Sequence, residues 1–224
     1  MKAWFSLLKN DFRLFARAPE NLWAMLLFGL LVLIVFHFSL PAELGQSIFM
    51  GSSALMLSLF FSSILGLPPL QHHENHVRFF PQLLTGHLSP VGYYWEKLTA
   101  GFLLLSLGAL VLFPVTMVLF NFPLTHRLWT GALFMGLGIV GISVVVTLAS
   151  ALTVGRENWL LPVLVFPLLF PVVLASSRLI EGAVSSQSEI PYSWVHLLVA
   201  YDLLMLFGSW FLAEFLWEEL PELT

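Results

Sequence analysis

Six long apolar stretches constrain what this chain can fold into more than any other feature of the sequence. They cover residues 21–40, 48–67, 98–120, 128–154, 159–176 and 195–217. Each is long enough for a membrane-spanning helix, which needs about 20 apolar residues. We therefore predict an all-α, polytopic membrane protein with six transmembrane helices, organised as a single domain over residues 1–224.

The composition leaves little material for a soluble domain. Charged residues make up only 10% of the chain and apolar residues 58%, whereas soluble domains contain about 25% charged residues. The longest segment between the apolar stretches, residues 68–97, has 30 residues, fewer than the roughly 40 that an unaided domain needs to bury a core. We expect any soluble machinery to come from partner chains.

The basic residues predict the orientation in the membrane. If the N-terminus is cytoplasmic, seven of the nine Lys and Arg residues lie on the inner side, and only Arg127 and Arg178 lie outside. This distribution obeys the positive-inside rule. Six crossings then place both termini in the cytoplasm. The inner basic residues are Lys2, Lys9, Arg13, Arg17, Arg78, Lys97 and Arg156.

The N-terminal residues 1–20 form an amphipathic segment before the first span. At helical spacing, Lys2, Lys9 and Arg13 fall on one side, while Trp4 and Phe12 lie opposite. This pattern predicts an interfacial elbow helix that lies in the headgroup layer with its aromatic side toward the lipid.

The inner segment 68–97 is predicted to couple the membrane bundle to an energy source. Pro68 and Pro69 are expected to stop the second span, and a short helix could follow on the cytoplasmic side. The chain has no G-x-x-x-x-G-K-[ST] loop for ATP phosphates, and ordinary connections in compact bundles are far shorter. We expect a partner ATPase to bind to this segment. The candidate coupling residues are Phe80, Gln82, Leu83, Leu84, Gly86, Ser89 and Pro90.

The fourth and fifth stretches suggest a bundle with close packing beside a bent helix. Small residues recur four apart from Ser143 to Gly155, which allows helix backbones to approach closely. Pro162, Pro167 and Pro171 in the fifth stretch are each expected to remove a backbone hydrogen bond and bend the helix. This pattern fits two alternatives. One is an inert bundle with close packing and kinked helices, and the other is a bundle that changes conformation.

Asp202 is an unusual residue because it lies seven residues inside the sixth stretch, about 10 Å deep at ~1.5 Å per residue. An intramembrane carboxylate costs about 2.5–3.5 kcal/mol at a helix centre. Either it faces a cavity or a partner within the bundle, or the span begins later and Asp202 caps it near the outer surface. The sequence leaves both alternatives open.

Three histidines on the predicted outer side, His37, His126 and His196, are candidate haem ligands, although interfacial histidines are common. We predict no metal site. The chain lacks cysteine, and the run His72–His76 is one residue short of the H-E-x-x-H motif of zinc proteases.

Several short motifs resemble those of the CcmB family, the haem exporter protein B family of bacterial cytochrome c maturation, whose members are ABC-2-type membrane subunits. The most specific matches are A-L-T-V-G at 151–155, L-L at 160–161 and F-P-L-L-F-P at 166–171. Pro114, the sequence Q-L-L at 82–84, and Ser89-Pro90 with Lys97 support them. One departure is R-F-F-P at 78–81, where the family usually has an acidic stretch that contains glycine.

The resemblance implies a non-catalytic permease subunit of an ABC transporter in the bacterial inner membrane. The expected partners are a CcmA-type ATPase that binds ATP, CcmC- and CcmD-type membrane subunits, a CcmE-type haem chaperone and a second copy of the chain. Haem would be a transient cargo with no covalently bound cofactor, and no nucleic acid would be bound. ATP hydrolysis would drive haem export or release of the haem-loaded chaperone. The alternatives are a permease for another lipid or small molecule, and a scaffold that transports nothing.

Overall fold

The chain forms a bundle of six helices, each long and apolar enough to cross a membrane. The computed structural model describes residues 19–41, 47–75, 90–123, 128–152, 160–185 and 191–218, and no strand occurs among them. The prediction of an all-α fold with six spans is therefore confirmed. The helices are α1 (Pro19–Ser39), α2 (Ile48–Asn75), α3 (Pro90–Leu119), α4 (Leu128–Leu152), α5 (Leu160–Val184) and α6 (Tyr192–Glu218).

Two helices occupy the centre of the bundle. Helix α2 packs against α1, α3, α4 and α5, and α4 packs against α2, α3, α5 and α6. Within its apolar segment, α4 is 67% buried, whereas α6 is only 17% buried and faces mainly outward. The α4 side chains from Gly141 to Ser150 are all buried. Any change in the arrangement of the outer helices must therefore be accommodated around α2 and α4.

Glycines let the central helices approach their neighbours closely. A Cβ atom added to Gly138 of α4 would lie 2.5 Å from the Ser176 Oγ of α5 and 2.6 Å from the Met56 Cε of α2. The contact between α1 and α2 also includes a hydrogen bond, which the Ser62 hydroxyl donates to the Met25 carbonyl at 3.0 Å. Small residues and hydrogen bonds between helices replace the hydrophobic effect, which does not drive helices together in lipid.

Helix α3 ends in a defined cap that packs against the start of α2. Asn121 adopts a left-handed conformation with φ of 50°, and the Phe122 N–H donates to the Met117 carbonyl at 3.0 Å. This is the Schellman arrangement, in which an αL residue turns the chain out of a helix. The cap buries Phe120 and Phe122, and a Cβ on Gly51 would lie 2.5 Å from the Phe122 Cε1.

The helix ends differ from the predicted boundaries of segment 68–97. The apolar part of α2 ends at Leu67, as predicted, but the helix continues through Pro68 and Pro69 to Asn75. A proline removes a hydrogen bond without forbidding helical φ angles, so a helix can continue through it. Helix α3 begins at Pro90, a residue well suited to a first helical position. Residues 76–89, like the predicted elbow helix in residues 1–18, lie outside the described part of the chain.

The fifth span extends eight residues beyond its predicted end at 176, to Val184. Two charged residues in this extension pair with each other on the helix surface. The Arg178 Nη1 atom lies 3.2 Å from the Glu181 Oε2, and the guanidinium lies 4.0 Å from the centroid of the Phe49 ring of α2. Pairing between charges and a cation–π contact lower the cost of keeping both residues at this depth.

We predict that Gly51→Ala destabilises the bundle, because the new methyl group would overlap the rigid rings of Phe120 and Phe122 at the α3 cap. Overpacking of this kind costs about 1–3 kcal/mol. The matched control is Gly136→Ala in α4, where an added Cβ meets nothing within 4 Å. Thermal unfolding of the purified variants in lipid nanodiscs measures the difference. Equal melting temperatures for the two variants would contradict the described packing.

Candidate functional site

Most of the predicted coupling residues lie outside the described part of the chain. These are Phe80, Gln82, Leu83, Leu84, Gly86 and Ser89, and the predicted conformational residue Gly155 joins them. The exception is Pro90, which is the first residue of α3. The described helices on either side, α2 and α3, pack against each other.

The candidate histidines do not form a common site in the described structure. His37 lies near the end of α1, where its ring makes edge-to-face contacts with Phe38 and Phe120 at centroid distances of 5.2 and 5.4 Å. His196 is exposed on the first turn and a half of α6, and His126 lies outside the described residues. Over the described ranges, no group of three His, Asp or Glu side chains could hold a metal ion.

The prolines of α5 fall at positions with different consequences. Pro167 and Pro171 lie inside the helix, so each deprives a carbonyl one turn earlier of its usual donor. Pro162 lies in the first turn because α5 begins at Leu160. The N–H groups of a first turn have no partner within the helix, so the predicted bend at Pro162 depends on residues 153–159, which lie outside the described part of the chain.

Tyr201 of α6 contacts the proline-containing part of α5. Its hydroxyl donates a hydrogen bond to the Leu168 carbonyl, which lies less than one turn before Pro171. This hydrogen bond joins α6 to the proline-containing part of α5, between Pro167 and Pro171.

Asp202 lies inside α6 and does not cap it. The helix begins ten residues earlier at Tyr192, and the Asp202 residue is only 5% exposed. The alternative in which the span begins later and Asp202 lies near the outer surface is wrong. The apolar residues 192–201 do form helix, because the histidine and tyrosines among them are compatible with the membrane interface and with hydrogen bonding to neighbours.

The Asp202 carboxylate occupies a junction between α4, α5 and α6. A Cβ on Gly141 of α4 would collide with Oδ1 of Asp202 and would lie 2.9 Å from the Val172 Cγ1 of α5. Neither carboxylate oxygen has a hydrogen-bond partner among the described residues. One turn away, Ser176 of α5 packs at Gly138, and its buried hydroxyl also lacks a partner within these ranges.

A second buried polar group lies near the start of α3. Glu96 and Lys97 are 0% and 3% exposed, and the Lys97 Nζ lies 3.6 Å from the Glu96 Oε2. Nearby, Tyr94 and Leu98 pack with Val144 of α4 and with Met205 and Leu206 of α6. The start of α3, which forms the last part of the predicted coupling segment, therefore enters the interior of the bundle instead of lying on its surface.

Tyr201 and the burial of Glu96 with Lys97 are features of the site that were not predicted from the sequence. For Tyr201 a usable signal was present, since it is a hydroxyl-bearing side chain beside Asp202 in an apolar span. For Glu96 and Lys97 the signal was Pro90, because a helix that starts there carries both charges into its second turn.

We predict that Tyr201→Phe destabilises the chain by about 1 kcal/mol, because the hydrogen bond from α6 to the Leu168 carbonyl of α5 is lost within the membrane. Tyr192→Phe is the matched control, since Tyr192 is 69% exposed. Thermal unfolding in nanodiscs compares the two variants with the wild type. A Tyr201→Phe variant as stable as Tyr192→Phe would show that the hydrogen bond contributes nothing.

Comparison with known proteins gives one family. A family model described as CcmB protein matches residues 2–215, nearly the whole chain. A search of curated proteins found no significant match.

Proposed function

Because the chain belongs to the CcmB family, we propose that it is the membrane permease subunit of an ABC-type haem-export complex acting in cytochrome c maturation. The observation that carries this proposal is the family match over residues 2–215. The six apolar helices of a multi-pass membrane protein support it. The family consists of membrane subunits, which suggests a non-catalytic role for this chain.

We propose that a CcmA-type ATPase binds ATP and docks on the segment between α2 and α3. The segment is placed to act on the centre of the bundle, because α2 ends at Asn75 and α3 begins at Pro90, and α2 packs against four other helices. The buried pair Glu96–Lys97 lies within two turns of the start of α3. A displacement of the segment between α2 and α3 would therefore move the buried Glu96 and Lys97 side chains.

The proline-containing helix α5 is the proposed route from this centre to the rest of the bundle. Helix α5 packs against α2, α4 and α6, and Tyr201 links α6 to α5 next to Pro171. A helix with prolines and external hydrogen bonds has fewer internal bonds to break when it bends. For a conformational change to pass from the ATPase side to the other side of the bundle, both sides must favour one of two arrangements of a shared helix. We propose that this helix is α5.

The proposed cargo is haem, which would be held transiently, and His37, His126 and His196 are its candidate ligands. His37 is the best placed of the described pair, because its Nδ1 is buried without a hydrogen-bond partner in the ranges described. The proposed complex contains CcmC- and CcmD-type membrane subunits, a CcmE-type haem chaperone and two copies of this chain in the bacterial inner membrane. Hydrolysis of ATP would serve haem export or release of the loaded chaperone.

The substitution Leu83→Asp tests the proposal. A charged side chain in the docking segment is expected to abolish association with the ATPase, because burying an unpaired carboxylate in an interface is strongly unfavourable. The variant is expressed with an affinity tag in a strain that lacks the wild-type chain. The measurements are copurification of the ATPase and the amount of haem-loaded cytochrome c.

The control is Leu83→Met, which conserves volume and should retain both the ATPase and cytochrome c. Wild-type amounts of ATPase on the Leu83→Asp variant would refute the docking segment. Normal cytochrome c in a strain without this chain, or with an inactive partner ATPase, would refute the proposed function itself.

A further inference from the structure

Asp202 lies at the centre of a membrane span, a position at which a carboxylate is costly. It is ten residues from each end of the span Tyr192–Leu212, and it is 5% exposed. Carboxylates at such depth occur where they have a partner, and they commonly mark ion pathways. The proposed function assigns no role to this residue.

The described helices around Asp202 provide no positive charge to pair with it. Helix α4 contains no titratable residue. On α5, Arg178 pairs with Glu181 at 3.2 Å. On α3, Lys97 lies 3.6 Å from Glu96, and the nearby tyrosine of that helix, Tyr94, is neutral. On α6 itself, Tyr201 donates its hydrogen bond to Leu168, and His196 is exposed more than one turn away.

The junction that holds Asp202 is rich in oxygen atoms. Both carboxylate oxygens and the Ser176 hydroxyl lack hydrogen-bond partners among the described residues. Asp202 packs at Gly141 and Ser176 packs at Gly138, and these glycines are one turn apart on the same side of α4.

Oxygen acceptors without donors at mid-depth in a membrane bundle are the kind of group with which membrane proteins bind ions. We propose that Asp202 and Ser176, at the junction of α4, α5 and α6, form a binding site for a small monovalent cation, either a proton or a sodium ion. The bound cation neutralises the carboxylate within the membrane and holds α6 against α4 and α5. This site is independent of the proposed haem cargo and of ATPase docking.

Thermal unfolding of the purified full chain in nanodiscs tests the proposal. Melting temperatures are measured in NaCl and in choline chloride at equal ionic strength, each over a range of pH. A ligand that binds only the folded state raises the melting temperature, here by roughly 5–10 °C at saturation. A rise with sodium at fixed pH identifies a sodium site, whereas a dependence on pH alone, in choline, identifies a proton site.

The variant Asp202→Asn should lose whichever dependence the wild type shows. Gly141→Ala provides a second test if Asp202→Asn fails to fold, because its methyl group would displace the Asp202 Oδ1 and weaken the apparent affinity at least tenfold. Gly136→Ala, a substitution into open space on the same helix, should match the wild type. Wild-type stability that depends on neither cation, or an unchanged dependence in Asp202→Asn or Gly141→Ala, would overturn the proposal.

Discussion

The absence of water from the bilayer core is the constraint on which this structure depends. Polar groups in the six helices need partners inside the bundle, because none is available from lipid. Ser62 reaches the backbone of α1, Tyr201 reaches the backbone of α5, and Arg178 pairs with Glu181. Close packing around α4 makes such contacts possible, since Gly138 and Gly141 admit neighbours to the helix backbone.

The same constraint connects the structure to the proposed mechanism. Helices α2 and α4 are central, and α5 packs against both. Pro167 and Pro171 each remove a hydrogen bond within α5, and Tyr201 of α6 donates a hydrogen bond to the Leu168 carbonyl between them. A force applied between α2 and α3 would therefore meet a rigid centre, with α5 and α6 as the adaptable part of the bundle. This division suits a permease subunit that is driven by a separate ATPase.

The sequence was sufficient to predict the six helices, because runs of about 20 apolar residues have few other solutions. The sequence predicted the ends of helices less well where charged residues lie within them. Arg178 suggested a loop, but its contacts with Glu181 and Phe49 keep it on α5. Glu96 and Lys97 were assigned to a connector, and they are buried in α3. These outcomes depend on neighbours from other helices, which a local pattern of hydropathy does not contain.

The candidate site was predictable only in part for the same reason. Asp202 was identifiable as an intramembrane carboxylate, but the choice between a buried position and a surface cap required the start of α6 at Tyr192. The role of Tyr201 became evident only from its hydrogen bond to the Leu168 carbonyl. The family match extends over residues 2–215, although the segment at 78–81 departs from the acidic pattern that such sequences usually show.

The central claim is that a membrane bundle without a nucleotide site of its own receives force through the segment between α2 and α3, on the cytoplasmic face. Since the chain contains no cysteine, single substitutions report the side of the membrane without interference. Spheroplasts carrying Gln82→Cys or Gln187→Cys are treated with a membrane-impermeant maleimide. The account predicts labelling of Gln187→Cys in intact spheroplasts and of Gln82→Cys only after permeabilisation. Labelling of Gln82→Cys in intact spheroplasts would contradict it.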